Sequence, residues 1–256
     1  MPWTAVATAS FIVFFLGLGA LRPRVSPGVD WHETLLNVIT GGSLYAARIG
    51  LILGIDAALG ENARGAISLG ALTHPVAQAL ITFLILDLTR YWVHYADHRV
   101  PILWRFHRTH HSAEHLNASS GLRMHLVDLV QLTLIPVVLF RLIFDISGFH
   151  AAVLPGVLLI GAFFDAFEHA NLRWDPSAPL NNAWGKLLNN PHFHSWHHTR
   201  DGAKKDGNYG QALTIWDRMF GTDVTEPAPP ELYGLEDSQA IQHTLIGLQT
   251  LRPRTR

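Results

Sequence analysis

Long apolar runs alternate with polar segments over the first two thirds of the chain. Uncharged residues fill 4–21, and further apolar segments run at about 35–59, 72–93, 126–144 and 151–169. These lengths suit helices that cross, or nearly cross, the hydrocarbon core of a bilayer. The short break around Asp145 and Gly148 predicts that the last two form a hairpin, which enters and leaves the membrane on one side. The pattern therefore predicts four to five membrane helices.

The first apolar run is expected to be an uncleaved membrane helix. The alternative, a signal peptide, is disfavoured because no basic region precedes the run, whereas Arg22 and Arg24 follow it. If five segments cross in alternation, most basic side chains fall on one side, and the opposite loop near Glu61 holds only Arg64. Because basic residues collect on the cytoplasmic side, we expect that side to be cytoplasmic. It carries Arg22, Arg24, Arg90, Arg99, Arg105, Arg108, Lys186, Arg200, Lys204 and Lys205.

From His169 onward the chain is polar and rich in Asn, Asp, Gly and Pro, and we expect it to form a cap on the membrane helices. The predicted fold class is an all-α integral membrane protein. It has four to five membrane helices and a cytoplasmic, histidine-rich helical cap that holds a dinuclear metal site. Residues 1–71 would form the N-terminal membrane helices and 223–256 a C-terminal tail.

Composition narrows the chemistry. Among 256 residues, 48% are hydrophobic and 15% charged, which is too apolar for an average soluble protein. The absence of cysteine excludes disulfides, iron–sulfur clusters and a thiol nucleophile, so any metal must be held by nitrogen and oxygen. The net charge of -1 gives no reason to expect nucleic acid as a partner. The unusual feature is 16 histidines, most of them in the two stretches 94–125 and 192–198.

The end of the third apolar segment carries the first candidate ligands. On a helix, at about 100° per residue, Asp87, Tyr91, His94 and His98 form one stripe, so both imidazoles point the same way. An isolated pair of this kind would also fit interfacial histidines at the membrane surface. Asp87 is expected to orient His94 or a neighbour, or to pair with Arg90, because an intramembrane carboxylate needs a partner.

Two HxxHH triplets make the metal hypothesis specific. In such a triplet the first histidine lies on the helix face between the other two, so one turn can serve two adjacent metals. Neutral imidazole favours iron, zinc, copper or nickel. Two unrelated segments would not share this spacing by chance, and we therefore expect a dinuclear site. The triplets are His107, His110 and His111, and His194, His197 and His198.

Further candidates flank these triplets. His169 ends the last apolar segment and is a candidate ligand, with a helix-terminal histidine favoured by the dipole as the alternative. Asp165 and Glu168 are candidates for a carboxylate ligand or for the acceptor that fixes an imidazole tautomer. For His125 and His192 the sequence leaves two roles open: binding the metal, or supporting the residues that bind it.

These motifs occur together in one known superfamily. The segments DLTRYWVHYADH, FHRTHHS, RMH, HAN, PHFHSWHH, NYG and WDRMFGT follow the order and approximate spacing of the fatty acid hydroxylase/sterol desaturase superfamily. The resemblance covers about Asp87 to Thr222 and implies that 72–222 is the catalytic domain. Relatives often have a histidine where this chain has Asp165. The fused haem domain of some relatives has no counterpart here, so we expect electrons from a separate protein.

The resemblance implies a membrane-bound non-haem di-iron oxygenase. It would hydroxylate or desaturate a C–H bond of a lipid such as a fatty acyl chain or sterol. Its partners would be the lipid, dioxygen, the bilayer and an electron donor such as a reductase with ferredoxin or cytochrome. Zinc is a possible substitute for the two iron ions. The bacterial inner membrane, or the endoplasmic reticulum in a eukaryote, is the expected location. The family's ligands map onto His94, His98, His107, His110, His111, His169, His194, His197 and His198, with His125 or His192 completing the shell, and we assign catalytic roles to Asp87, Tyr91 and Asp165.

Two other classes are less well supported by the sequence. A membrane zinc hydrolase would need a general base beside zinc-bound water, but the chain has no HExxH motif and more histidines than one catalytic zinc uses. A metal transporter or haem-binding electron carrier would hold its ligands at bilayer depth on several helices. Here the histidine clusters lie beyond the ends of the apolar segments.

Overall fold

The computed structural model describes residues 2–25, 29–59, 65–202 and 204–254, and it is mostly helical. A π-helical turn (Val130–Leu134) joins α5 to α6, and short 3-10 turns lie at His110–Ser112, Ser120–Leu122 and Asp237–Gln239. The helices are α1 (Pro2–Leu21), α2 (Trp31–Leu59), α3 (Pro75–Arg99), α4 (Pro101–His107), α5 (Leu126–Leu129), α6 (Ile135–Ile143), α7 (Val153–Glu168), α8 (Pro179–Gly185), α9 (Pro191–His197), α10 (Ile215–Phe220) and α11 (Leu245–Thr250).

The predicted all-α class needs one small correction. Two strands of two residues each, β1 (Ile67–Ser68) and β2 (Phe144–Asp145), pair in parallel, with Ile67 opposite Phe144. The amide of Leu69 also donates to the carbonyl of Asp145. The pair joins the chain before α3 to the chain after α6, and it is too short to form a sheet layer.

Within the described residues, three helices are long and apolar enough to cross a membrane: Thr4–Leu21, Pro75–Arg99 and Leu126–Ile143. Only 17% of the first is buried inside the protein, which leaves its apolar surface for lipid. The other two expected spans coincide with α2 and with α7, which has 16 residues. The number of four to five crossings and the cytoplasmic side stay predictions. The loop with Glu61 and Arg64, on which the orientation partly rests, lies outside the described residues.

Helix α1 packs along α7 through aromatic rings. The ring of Phe15 lies 5.5 Å from that of Phe163 and 5.3 Å from that of Phe167, measured between centroids. Near the end of α1, a Cβ on Gly19 would lie 3.2 Å from the carbonyl oxygen of Asn171, so glycine permits this close approach. These contacts fix the end of α7, from which His169 extends.

Helix α3 is central because it packs against both α6 and α7, with Leu86, Phe140 and Val157 buried between the three helices. It ends at Arg99 because Val100 is extended before Pro101, and proline disfavours helical geometry in the preceding residue. Pro101 then opens α4. The sharp turn folds α4 back, so that His107 lies beside His94 of α3.

The chain after α10 also packs on the membrane helices. Leu235, Ile241 and Leu248 are buried against Leu36 of α2. Beside them, the fully buried Arg123 places Nη2 2.6 Å from Oε2 of Glu33, and Nδ1 of His243 lies 2.9 Å from Oε1 of the same carboxylate. A buried charge is tolerated when it is paired in this way. The pair ties α2 to the loop that follows the first HxxHH triplet.

Candidate dimetal centre

The structure gathers imidazoles into two adjacent groups. The first, here called the five-histidine cluster, offers one ring nitrogen from each member, and these nitrogens all lie within 4.8 Å of one another. Nε2 of His107 lies 3.1 Å from Nε2 of His94 and 3.2 Å from Nε2 of His111. The members are His94 and His98 of α3, His107 of α4, His111 of the following 3-10 turn and His197 of α9.

The second group, here called the four-histidine cluster, consists of His110, His169, His194 and His198. Nε2 of His169 lies 3.2 Å from Nε2 of His110 and 3.1 Å from Nε2 of His194. The ring of His198 stacks on His111 of the five-histidine cluster, with centroids 4.5 Å apart. The two clusters are therefore in direct contact.

Each HxxHH triplet supplies both clusters. The first triplet gives two rings to the five-histidine cluster and one, His110, to the other. The second gives two rings to the four-histidine cluster and one, His197, to the five-histidine cluster. Consecutive side chains diverge by about 100° on a helical turn. Neighbours in sequence, such as His110 and His111, therefore belong to different clusters.

The hydrogen bonds on the outer ring nitrogens test whether the residues fit a metal. A carbonyl or carboxylate oxygen accepts, so a ring nitrogen bonded to it carries the proton, and Nε2 of a neutral ring keeps its lone pair. In the five-histidine cluster, the Nδ1 atoms donate as follows: His94 to the carbonyl of Tyr209 (2.8 Å), His107 to Oδ1 of Asp128 (2.9 Å) and His197 to the carbonyl of Gly207 (2.8 Å).

Several Nε2 lone pairs thus point at one place inside the protein. A proton shared by two rings would leave the remaining lone pairs unsatisfied, and Nε2 of His197 has no hydrogen-bond partner among the described residues. With metal–nitrogen bonds of about 2.1 Å, neighbouring ligands of a tetrahedral or octahedral ion lie about 3.0–3.4 Å apart. The observed separations of 3.1–3.2 Å match that spacing. The residues fit one metal ion per cluster.

Burial keeps most of these imidazoles neutral. It lowers the pKa of His110, His111, His194 and His198 well below the ordinary value, with a further lowering by the neighbouring rings. Burial likewise lowers the pKa of His197 to about 3. Neutral imidazole is the form that binds a metal, so these rings are ready to bind at neutral pH.

His107 differs from the other rings. Burial lowers its pKa, but the charge of Asp128, the hydrogen bond to it and the charge of Asp97 raise the pKa by more, so the net shift is upward. The carboxylate that orients the ring thus also increases its basicity. A more basic imidazole is a stronger metal ligand once its proton has left.

A tight loop between α9 and α10 supplies the carbonyls that hold two of the ligands. The carboxylate of Asp217 accepts from the amides of Tyr209 and Gly210, at 2.7 and 2.8 Å. Asn208 has a φ of 57° and its side-chain amide donates to the carbonyl of Phe193 in α9. The NYG segment therefore acts as a structural clasp: the carbonyl of Tyr209 fixes the ring of His94, and the carbonyl of Gly207, just before the segment, fixes that of His197.

Asp87 belongs to neither cluster, so its predicted catalytic role stays a prediction without support from its position. Its two oxygens accept from the amides of Ala212 and Leu213, at 3.1 and 3.2 Å, and from Nε1 of Trp216 at 2.9 Å. His94 is not among these partners, whereas the charge of Arg90 does act on the Asp87 carboxylate. An intramembrane carboxylate does find a partner here, but the partners are backbone amides of the cap.

Tyr91 is also a fold contact. Its hydroxyl lies 2.9 Å from Oγ1 of Thr222, whose own proton goes to Asp217, so Tyr91 donates. Its ring stacks on Phe220 at 5.3 Å. These contacts assign Tyr91 to the docking of α10 on α3, and its predicted catalytic role stays a prediction.

Asp165 lies behind the four-histidine cluster. Its carbonyl accepts from Nδ1 of His169 at 2.6 Å, and its carboxylate lies 3.8 Å from the same nitrogen. Glu168 comes within 3.8 Å of Nδ1 of His169 and 3.9 Å of Nδ1 of His194. Both carboxylates face the outer nitrogens, which fits orientation of the rings better than direct ligation.

Two predicted ligands are not brought to the clusters. Nδ1 of His125 accepts from the amide of Val127 as the cap of α5, and its Nε2 donates to the carbonyl of Gln249. The Nε2 of His192 donates to the carbonyl of Glu226 at 2.6 Å. His192 points away because α9 begins at Pro191, which places His192 on the first turn and on another face from His194. We leave both out of the proposed ligands.

Asp128 is the functional residue that sequence reasoning missed. It is fully buried within an apolar run and orients His107. An intramembrane carboxylate marks a functional site, and this signal was available in the sequence. Asp206, 3.3 Å from Nδ1 of His98, and the carbonyls of Gly207 and Tyr209 had no comparable signal.

The part of the chain that carries both clusters is similar to a known protein family. The family described as fatty acid hydroxylase matches residues 79–222, which is more than half of the chain and includes every member of both clusters. The chain belongs to the fatty acid hydroxylase family. No solved structure matches significantly.

Three relatives of this family member illustrate the similarity. Alkylglycerol monooxygenase of Xenopus tropicalis is 35% identical over 60% of this chain and 32% of its own length. The ornithine lipid hydroxylase OlsE of Rhizobium tropici is 32% identical over 59% and 43%. The fatty acid hydroxylase vlmA of a Lecanicillium species is 32% identical over 54% and 40%. The matched part of this chain thus covers less than half the length of each relative.

Proposed function

We propose that the chain is a membrane-bound non-haem di-iron oxygenase that hydroxylates a lipid C–H bond. The observation that carries this proposal is the pair of touching, buried histidine clusters, in which Nε2 lone pairs converge at metal-ligand spacing. Nitrogen ligands without thiolate suit iron, and zinc is a known substitute at imidazole sites. Membership of the fatty acid hydroxylase family supports the oxygenase class over a hydrolase.

The five-histidine cluster would hold one iron ion and the four-histidine cluster the other. When bound, the iron pair would activate dioxygen for attack on an unreactive C–H bond. The protein's own residues orient the ligands through Asp128, Asp165 and the loop carbonyls. Every ligand ring except that of His98 is buried below a tenth of its surface, and the His98 side chain is itself inaccessible, so bulk water is kept from the site.

We assign the substrate to the lipid class because apolar helices carry the site and the three relatives are named for lipid substrates. Their names are those of hydroxylases or monooxygenases, which favours hydroxylation over desaturation. The chain would cross the membrane four to five times, with the clusters on the cytoplasmic side and electrons supplied by a separate ferredoxin or cytochrome. Residues 72–222 would form the catalytic domain, between the N-terminal membrane helices and the C-terminal tail.

Product analysis under labelled dioxygen tests this proposal. The full chain in lipid nanodiscs is reduced without air and exposed to ¹⁸O₂ with an alkylglycerol, an ornithine lipid or a fatty acyl lipid. We expect one ¹⁸O atom in a hydroxylated lipid, loss of product in His110→Ala, and no change in His32→Ala, which replaces an exposed histidine. A product that forms without oxygen would contradict the oxygenase and favour hydrolysis.

A further inference from the structure

An open groove of about 750 Å³ lies where α3 turns into α4, beside the five-histidine cluster. One wall comes from α4 and the other from the chain around the end of α11. The residues that matter for its chemistry are Trp104, Arg105, Arg108, Gln239 and Arg252. None of the described residues that line the groove carries a carboxylate.

The groove concentrates uncompensated positive charge. Among the described residues, none of its three guanidinium groups has a carboxylate within 4 Å, whereas the nearby Arg254 is paired with Glu114 at 2.7 Å. Burial, and then the charge of Arg105, lowers the pKa of Arg108. Nζ of Lys205 lies 4.7 Å from the Trp104 ring, but it also lies 4.0 Å from Oδ1 of Asp206, so the positive field comes from the arginines. Such a field attracts an anionic partner.

Trp104 separates this groove from the metal ligands. Its ring lies 5.0 Å from the ring of His98 and 5.4 Å from that of His111, between centroids. Its Nε1 donates to Oε1 of Gln239 at 3.1 Å, which holds the indole in place. A partner seated in the groove would thus be one side chain away from the five-histidine cluster.

We propose that this groove is the docking surface for an acidic electron-transfer protein, whose redox group approaches Trp104. The proposal rests on the proposed function. Hydroxylation converts C–H, O₂, two electrons and two protons into C–OH and H₂O. If the donor carries one electron, two reduced donors are oxidised in each turnover. The chain has no cysteine for an iron–sulfur cluster of its own, and a short path from an outside donor favours fast transfer.

A lipid is a poorer occupant of the same groove. An acyl chain is recognised by apolar walls, whereas in this groove three arginines and a glutamine stand among Trp104, Leu251 and two prolines. A headgroup seated here would also leave its chain on the outer side of Trp104, which packs directly on His98 and His111. The charge and the position of the groove together favour a protein that delivers electrons from outside and does not enter the metal site.

Steady-state kinetics with a protein donor test the proposal. The full chain in nanodiscs is supplied with an acidic plant-type ferredoxin, which its reductase keeps reduced with NADPH. In the double variant Arg105→Glu/Arg252→Glu we expect KM for ferredoxin to rise at least tenfold, with kcat at saturation within twofold of the parent. Both side chains are exposed, which spares the fold. The matched control is Arg173→Glu, an exposed arginine outside the groove.

A single-turnover assay separates docking from catalysis. Protein that has been reduced with dithionite, freed of excess reductant and mixed with O₂ needs no donor, so the double variant should form as much product as the parent. An unchanged KM for ferredoxin would overturn the docking proposal. A matching loss of single-turnover product would also overturn it and assign the groove to the lipid headgroup. If the parent itself formed no product in this assay, the proposed function would fail, and docking with it.

Discussion

The two histidine clusters differ in how the protein holds their outer nitrogens. In the five-histidine cluster, the Nδ1 atoms of His94, His107 and His197 each donate to a backbone carbonyl or a carboxylate. In the four-histidine cluster only His169 has such a bond. Among the described residues the Nδ1 atoms of its other members, His110, His194 and His198, have no hydrogen-bond partner.

This difference predicts unequal tasks within one centre. Bonds to the outer nitrogen fix ring orientation and raise ligand basicity, and their loss typically costs metal affinity. We therefore expect the five-histidine cluster to be the more rigid half and to bind its metal more tightly. The four-histidine cluster has fewer fixed rings and two carboxylates, Asp165 and Glu168, near its outer nitrogens. We expect it to release its metal first under a chelator.

The largest expected effect comes from neighbours that serve different clusters. His110→Ala removes a ligand of the four-histidine cluster, and His111→Ala removes one of the five-histidine cluster. Because the proposed reaction would need both metals, each variant should lose at least about 100-fold in hydroxylation rate. Product is quantified by mass spectrometry, with His32→Ala as the control. Near-normal activity in either variant would show that one cluster suffices.

The support of the five-histidine cluster can be weakened without removing a ligand. In Asp128→Asn, His107 keeps an acceptor but loses the negative charge beside it. We expect metal affinity of this cluster to fall by about 10–100-fold, with the four-histidine cluster unchanged. Chelator competition measures both affinities, and Glu231→Gln, at an exposed position, is the control. An equal loss at both clusters would contradict the division between them.

Acidity should affect the two clusters differently. Because the net pKa of His107 is raised above its ordinary value, lowering the pH protonates this ring first, and its cluster should lose affinity by up to about tenfold per pH unit below that pKa. Burial keeps the pKa of His110, His194 and His198 well below the ordinary value for histidine. The four-histidine cluster should therefore bind its metal with the same affinity from pH 8 to pH 6.

The two single-cluster variants allow that measurement. His110→Ala leaves the five-histidine cluster complete, and His111→Ala leaves the four-histidine cluster complete. Metal uptake by each apo variant can therefore be followed across the same pH range. Parallel pH profiles in the two variants would contradict the assignment of the pKa difference to Asp128.

The smallest expected effect lies outside both clusters. Tyr91→Phe removes one hydrogen bond to Thr222 and should cost about 1 kcal/mol of stability, with the metal content unchanged. Thermal unfolding in detergent measures this cost, and Tyr45→Phe, at an exposed tyrosine, is the matched control. A loss of metal in Tyr91→Phe would return this residue to the site.

Spacing alone anticipated that each triplet serves two neighbouring clusters, because consecutive side chains such as His110 and His111 diverge on a helical turn. It could not anticipate His192, whose direction depends on the start of α9 at Pro191 with the Asn190 side chain as its cap. The partners of Asp87 lie 125 and more residues along the chain, and only the folded cap brings them to it. Backbone carbonyl acceptors leave no trace in side-chain patterns.

Metal content measures the central claim most directly. Full-length protein that has been purified with iron present should contain two metal ions per chain by elemental mass spectrometry. His110→Ala and His111→Ala should each bind one of the two ions more weakly, because each cluster loses one ligand, and His32→Ala should retain two. A parent protein that saturates at one ion would contradict a dimetal centre built from these two histidine clusters.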